Sequence, residues 1–371
     1  MVPRHLAPVR AGAGIGRTLL PAAPLALLAG CAHALPPASA DRLLDALFAP
    51  PTAEEVAAVE AEWAGRDTGA HGYRVEHERR DGRSGRTLVV SHTVGGVRHY
   101  GAVRVPDGAA GPLPVLVIAH GGEGGATAYN FFHRGPLAEG WVQVLPSFRA
   151  EPLRLTPLRA WRSGGRPSPW DRDVDDAMAL LSAVLAHVPE ADGGRVAVFG
   201  RSRGAGVALL MAARDPRVKA VVDFYGPTDF FLPHVRTLAG RALRSSLPRL
   251  PGAGYLADSV LFALRDGRTT VARARLELLR RSPAYFAHRL PPVQAHHGTA
   301  DGKVPVAHGD RLHAAMARAG TTAPRWEYHR YAGGGHHPGS LPGSYRRAEA
   351  FLGRVAGRGA AARTGTTGGR R

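Results

Sequence analysis

Residues 195–206 read Arg-Val-Ala-Val-Phe-Gly-Arg-Ser-Arg-Gly-Ala-Gly, and a leucine- and alanine-rich stretch follows. A short apolar strand pattern therefore passes through Gly200-Arg201-Ser202-Arg203-Gly204 into a helix pattern. A serine on a sharp turn from strand to helix is held in a strained backbone conformation. Only small neighbours fit around it, and Gly200 and Gly204 supply them. Such a turn presents the Ser202 hydroxyl as a nucleophile. A hydroxyl is a weak nucleophile at neutral pH, so the chain must also supply a histidine to take its proton and a carboxylate to orient that histidine.

Both lie downstream, in the order serine, acid, histidine. Asp301 follows the apolar run 292–297 in a glycine-bounded turn, 99 residues after Ser202. The loop Ala332-Gly333-Gly334-Gly335-His336-His337 follows an alternating strand pattern, and one of its two histidines is the candidate base. Asp223, at the end of another apolar run, is the second choice of acid, and Asp229 is expected to cap a helix. Attack on a carbonyl creates an oxyanion that needs donors already aimed at it. Residues 114–119 form a buried-strand pattern ending in His120-Gly121-Gly122-Glu123-Gly124-Gly125. The amide of Gly122, or of its neighbour Gly121, is expected to act as donor together with the amide of Arg203. A phosphate-binding loop would need G-x-G-x-x-G or Walker spacing, which this loop lacks. The chemistry calls for no metal and no organic cofactor.

Elements must gather these residues. Strands expected near 115–119, 141–145, 195–199, 219–224, 292–297 and 325–331 alternate with helices near 173–187, 203–213, 309–319 and 344–356. That order predicts an α/β fold, a mostly parallel central sheet with helices on both faces and the site at its carboxyl edge. Before it, runs at 73–77, 87–91 and 97–103 read as antiparallel strands joined by Asp81-Gly82 and Gly95-Gly96 turns. The stretch 230–290 is too long for a simple connection. Its apolar positions, Leu238, Leu243, Leu256, Val260, Leu261, Leu264, Leu276 and Leu279, predict a helical cap insertion that covers the serine. Residues 31–50 read as a Pro/Ala linker leading into a helical stretch marked by Leu43, Leu44, Leu47, Val56, Val59 and Trp63.

Taken together, these stretches resemble the α/β-hydrolase superfamily, and more closely the prolyl oligopeptidase (S9) catalytic domain and its dienelactone-hydrolase-like relatives. The resemblance rests on His120-Gly121-Gly122, Val144-Leu145-Pro146-Ser147-Phe148-Arg149, Trp170 with the acids of 173–176, the turn at Ser202, Phe224-Tyr225-Gly226-Pro227-Thr228-Asp229, Ser282-Pro283-Ala284-Tyr285-Phe286, His297-Gly298-Thr299-Ala300-Asp301 with Val304-Pro305, and Gly335-His336. It covers roughly residues 95–356, within a catalytic domain placed at 51–356. It implies a triad of Ser202, His336 (rather than His337) and Asp301, with oxyanion donors at Gly122 and Arg203. The implied activity is that of a serine hydrolase cleaving a small acyl ester or peptide substrate through an acyl-enzyme. Two departures move the expectation away from an S9-type peptidase towards a broader acyl hydrolase. Arg203 and Gly204-Ala205 stand where those peptidases often carry tyrosine and Gly-Gly, and no β-propeller is seen before the domain. A non-catalytic surface binding protein of the same fold is the alternative of another class, and the intact set of residues argues against it.

Arg4, Arg10 and Arg17 precede an apolar stretch, 18–29, too short to span a bilayer, so residues 1–30 read as a secretory signal peptide. Leu28-Ala29-Gly30-Cys31 resembles the bacterial lipoprotein box, with Cys31, the only cysteine, as the lipidation site. An exported protein held on a membrane by a lipid anchor is the expectation. Of the formal charge of +18, three arginines lie in the leader and five in the tail from Arg354, leaving +10 on the body. Residues 357–371 hold little to bury and are expected to be disordered. No basic face with interleaved stacking aromatics is visible, so nucleic acid is not an expected partner.

Overall fold

The computed structural model describes residues 37–355, apart from 83, 109, 157 and 245–249. The leader, Cys31 and the tail at 357–371 lie outside the described residues. At the centre is a nine-stranded sheet. Its strands are β1 (His71–Arg80), β2 (Arg86–Val94), β3 (Val97–Val105), β4 (Leu113–Ala119), β5 (Val142–Pro146), β6 (Ala191–Arg201), β7 (Val218–Phe224), β8 (Val293–Gly298) and β9 (Trp326–Tyr331). They lie in the order β1-β2-β3-β5-β4-β6-β7-β8-β9. The first three pair antiparallel, β3 meets β5 antiparallel, and β5 to β9 run parallel through β4.

Both faces of the parallel part are covered, because alternate residues of each strand point to opposite sides. On β6, Val196 and Val198 join one buried cluster while Ala197 and Phe199 join the other. On β4 the same division separates Val115 and Val117 from Leu116 and Ile118. Helices Arg172–His187, Arg203–Arg214 and Ala307–Arg318 bury apolar residues in the first cluster, and Ala348, Phe351 and Leu352 of Ser344–Val355 fill the second. The Gly95-Gly96 turn has positive φ at both residues, 54° and 74°, as a two-residue hairpin connection requires.

Between β7 and β8 the chain forms helix Pro233–Arg244, a helix over 253–265 whose middle turn, Ala257–Phe262, is π-helical, helix Val271–Leu279 and the 3₁₀ segment Pro283–Arg289. Two expectations need correction here. Residues 37–47 are not part of a linker but a helix, with Leu44 and Leu47 buried. The carbonyls at its end have no partners within the helix. Arg275 supplies them, reaching the carbonyls of Ala46, Leu47 and Ala49 at 3.2, 3.1 and 2.6 Å and gripping Glu55 at 2.6 and 2.7 Å. The domain core therefore begins before residue 51. Asp229 caps no α-helix, since the next one starts at Pro233; it accepts from the Phe231 amide and the Arg311 guanidinium, both at 2.7 Å.

A small sheet of Ala126–Thr127, Pro152–Thr156 and Arg159–Arg162 escaped sequence reasoning. Its strands are too short to show an alternating pattern.

Candidate active site

Ser202 follows the carboxyl end of β6 and precedes helix Arg203–Arg214, with φ 55° and ψ −125°. A non-glycine residue at positive φ is strained and is held there only by its surroundings. The glycines around it make the turn possible. A Cβ at Gly200 would run into the Gly204 carbonyl, and one at Gly204 into the carbonyl of Ala119 on β4.

Asp301 follows β8 and His336 follows β9, so strand order alone carries both to the edge where β6 ends. The His336 Nδ1 lies 2.7 Å from Asp301 Oδ2, and its Nε2 lies 2.9 Å from Ser202 Oγ. A proton on Nδ1, donated to the carboxylate, leaves Nε2 free to accept from the serine hydroxyl. Asp301 Oδ1 accepts the amides of Lys303 and Val304, each at 2.9 Å. Burial alone would raise the pKa of this carboxyl. The bond from His336 and the two amides outweigh that and hold it below the ordinary value, so Asp301 stays charged. The His336 ring packs 4.4 Å from that of Tyr225, another residue at positive φ. His337 is exposed and accepts the Gly339 amide at 3.0 Å. Asp223, the second choice of acid, is buried and accepts the Gly226 amide at 2.9 Å. Burial raises its pKa to about 7.

His120 is buried against Phe148, ring to ring at 4.1 Å, and its Nδ1 lies 3.3 Å from the Gly121 carbonyl. Burial lowers its pKa to about 3, so the ring is neutral and can donate from Nδ1. In a trans peptide C=O and N–H point opposite ways, so fixing the Gly121 carbonyl fixes the Gly122 N–H on the far side. Arg203 supplies the first amide of its helix, a group with no acceptor inside the helix. Its side chain is 2% exposed and doubles back. Nη1 donates to the Gly122 carbonyl at 3.2 Å and to Glu151 at 2.5 Å; Nε and Nη2 bind Asp173 Oδ2 at 3.0 and 2.7 Å. Sequence reasoning singled out the amide of Arg203 and missed the work of its guanidinium. It also missed Glu123, whose carboxylate accepts the amide of Gly252 in the cap.

Ser202 and His336 line a cavity of about 450 Å³ whose walls are largely apolar. Leu238, Leu256, Val260 and Leu261 of the cap helices line it, with Trp170, Phe230 and Phe48, which follows the first helix. Among the described residues, no group of three or more His, Cys, Asp or Glu side chains is placed to hold a metal ion. A nucleophile with its base, two backbone amides near it and an apolar chamber can together perform acyl transfer.

Residues 101–242 match the dienelactone hydrolase family. A protein from a Fusarium species described as a hydrolase is 36% identical over 123 residues, which span 33% of this chain and 28% of that protein. Among solved structures, acetyl xylan esterase 1 from a Thermoanaerobacterium species superposes with a TM-score of 0.59 at 19% identity, over 85% of this chain and 98% of that one. A puromycin-hydrolysing peptidase from Mycobacterium tuberculosis gives 0.53 at 19% identity, over 74% of this chain and 45% of that one. At these identities the solved structures share the architecture of this chain.

Proposed function

We propose that this member of the α/β-hydrolase superfamily is a serine hydrolase that cleaves acyl esters through an acyl-enzyme. The observation that carries the reading is the unbroken hydrogen-bonded line Asp301–His336–Ser202, 2.7 and 2.9 Å, at the wall of an apolar chamber. Ser202 Oγ attacks the ester carbonyl as His336 Nε2 takes its proton. The oxyanion is held by the amides of Gly122 and Arg203, and the protonated His336, steadied by Asp301, returns the proton to the departing alcohol. Water then repeats the sequence and releases the acid. An apolar chamber with few polar groups suits an acyl or alkyl group better than a peptide, whose backbone amides would enter it without partners.

A fluorophosphonate probe tests the assignment directly. It should label the protein and leave Ser202→Ala unlabelled; equal labelling of the two would overturn it. Parallel assays on p-nitrophenyl esters and on proline-containing peptide amides test the substrate class, and faster turnover of the peptides would favour a peptidase. Export and anchoring through Cys31 complete the proposal and rest on the leader sequence alone. Metabolic labelling with palmitate checks them: label should enter the protein and be lost in Cys31→Ala.

A further inference from the structure

The cavity beside Ser202 is polarised in charge. Arg201, Arg203 and Lys303 line it, and no aspartate or glutamate does among the described residues. The charge of Arg203 is already met by Asp173 and Glu151, but the other two cations differ. Arg201, directly before the nucleophile, is half-buried, lies over the Phe131 ring at 5.3 Å and reaches the Tyr345 hydroxyl at 3.4 Å. It forms no ion pair among the described residues. Four other arginines with comparable or lower exposure end on carboxylates, Arg66 on Asp171, Arg149 on Asp176, Arg214 on Asp175 and Arg311 on Asp229, while the half-buried Arg104 and Arg154 end on backbone carbonyls. Among the described residues Arg201 has neither, only the Tyr345 hydroxyl. Lys303 is one of only two lysines in a chain with 46 arginines. Its amide binds Asp301, while its exposed side chain lies at the cavity without an ion-pair partner among the described residues.

A half-buried guanidinium gives up part of its hydration and regains it only from an anion or a good acceptor. No described carboxylate pairs with Arg201 or Lys303 or lines the cavity, so an anion that enters the cavity is free to meet them. The cap helices line the same cavity mostly with apolar side chains, Leu238, Leu256, Val260 and Leu261 among them, beside His234. We infer that the substrate is an amphiphilic ester, with an apolar chain lying among the cap helices and an anionic group, carboxylate or phosphate, held by Arg201 and Lys303. The inference deepens the ester-hydrolase reading and rests on it.

Octanoate, octyl phosphate and 1-octanol, tested as competitive inhibitors of the hydrolysis of a neutral p-nitrophenyl ester, share the same chain and differ in charge. At low salt, at least one of the anions should bind about tenfold or more tightly than octanol. That advantage should shrink as salt is added. Octanoate alone would identify a carboxylate and octyl phosphate alone a phosphate. In the double variant Arg201→Gln with Lys303→Gln the ratio of anion to alcohol affinity should fall to near one. Lys303→Gln by itself, at an exposed position, should lower it by about threefold. Octanol competing as well as both anions, or a ratio that survives the double substitution, would overturn the inference. Loss of the reference hydrolysis would instead tell against the hydrolase reading, and the three affinities would then be measured by calorimetry on the same proteins.

Discussion

The Arg203 guanidinium donates to the carbonyl of Gly122 at 3.2 Å, so the residue after the nucleophile also holds the loop that faces it. The residue that carries one proposed oxyanion donor therefore ties down the loop that carries the other. Arg203→Met should lower kcat by about 10- to 100-fold while KM changes little, because the donors it aligns matter most in the transition state. A boronic acid that mimics the tetrahedral intermediate should lose affinity in parallel with kcat. The same variant leaves Asp173 buried without its partner, at a cost of about 3–5 kcal/mol, so the assays belong at a temperature where circular dichroism shows it folded.

Asp301 and Asp223 both lie at carboxyl ends of neighbouring strands, and only Asp301 touches His336. Asp301→Asn should cost about 10⁴-fold in kcat by disturbing the histidine tautomer. Asp223→Asn keeps an oxygen for the Gly226 amide and should cost less than about threefold. Steady-state kinetics on one ester separates the two.

Asp223 has a second, pH-dependent signature. Burial raises its pKa from 3.8 to about 7, so across that interval the folded protein keeps a proton that the unfolded chain has already released. The unfolded state binds fewer protons, and stability therefore falls as pH rises from about 4 to 7, then levels. The loss amounts to at most about 4 kcal/mol. Urea unfolding at several pH values should show this slope in the wild type and its loss in Asp223→Asn.

Val235, on helix Pro233–Arg244, is half-buried and lines the cavity. Val235→Trp should fill space meant for a long chain while sparing a short one. The ratio of kcat/KM for octanoate over acetate esters should drop by about tenfold or more. An unchanged ratio would mean that the chain lies elsewhere.

Much of this site was legible because its signals are local. The glycines around Ser202, the strand before it and the helix after it sit within about twenty residues, and their steric demands are written in residue size. Strand order accounts for the meeting of Asp301 and His336 with Ser202, since each comes just after a parallel strand, whereas the choice of His336 over His337 came from the family resemblance. What stayed hidden depends on partners far apart in the chain. Arg203 finds Asp173 and Glu151 at separations of 30 and 52 residues. Asp229 shows a local capping pattern, yet Arg311, 82 residues on, claims it. The start of helix Pro37–Leu47 looked like linker because proline and alanine dominate it, although Leu43, Leu44 and Leu47 already marked a helical stretch. Leu44 and Leu47 bury it in the core, and Arg275, more than 200 residues away, holds the carbonyls at its end.

The contact between Glu123 and the Gly252 amide joins two parts of the molecule that do different jobs, the loop expected to steady the oxyanion and the lid over the chamber. A displacement of the chain at Gly252 wide enough to admit a bulky guest must either break this tie or drag the Gly121-Gly122 turn with it. On the ester-hydrolase reading, admission and turnover would then be coupled through this one contact.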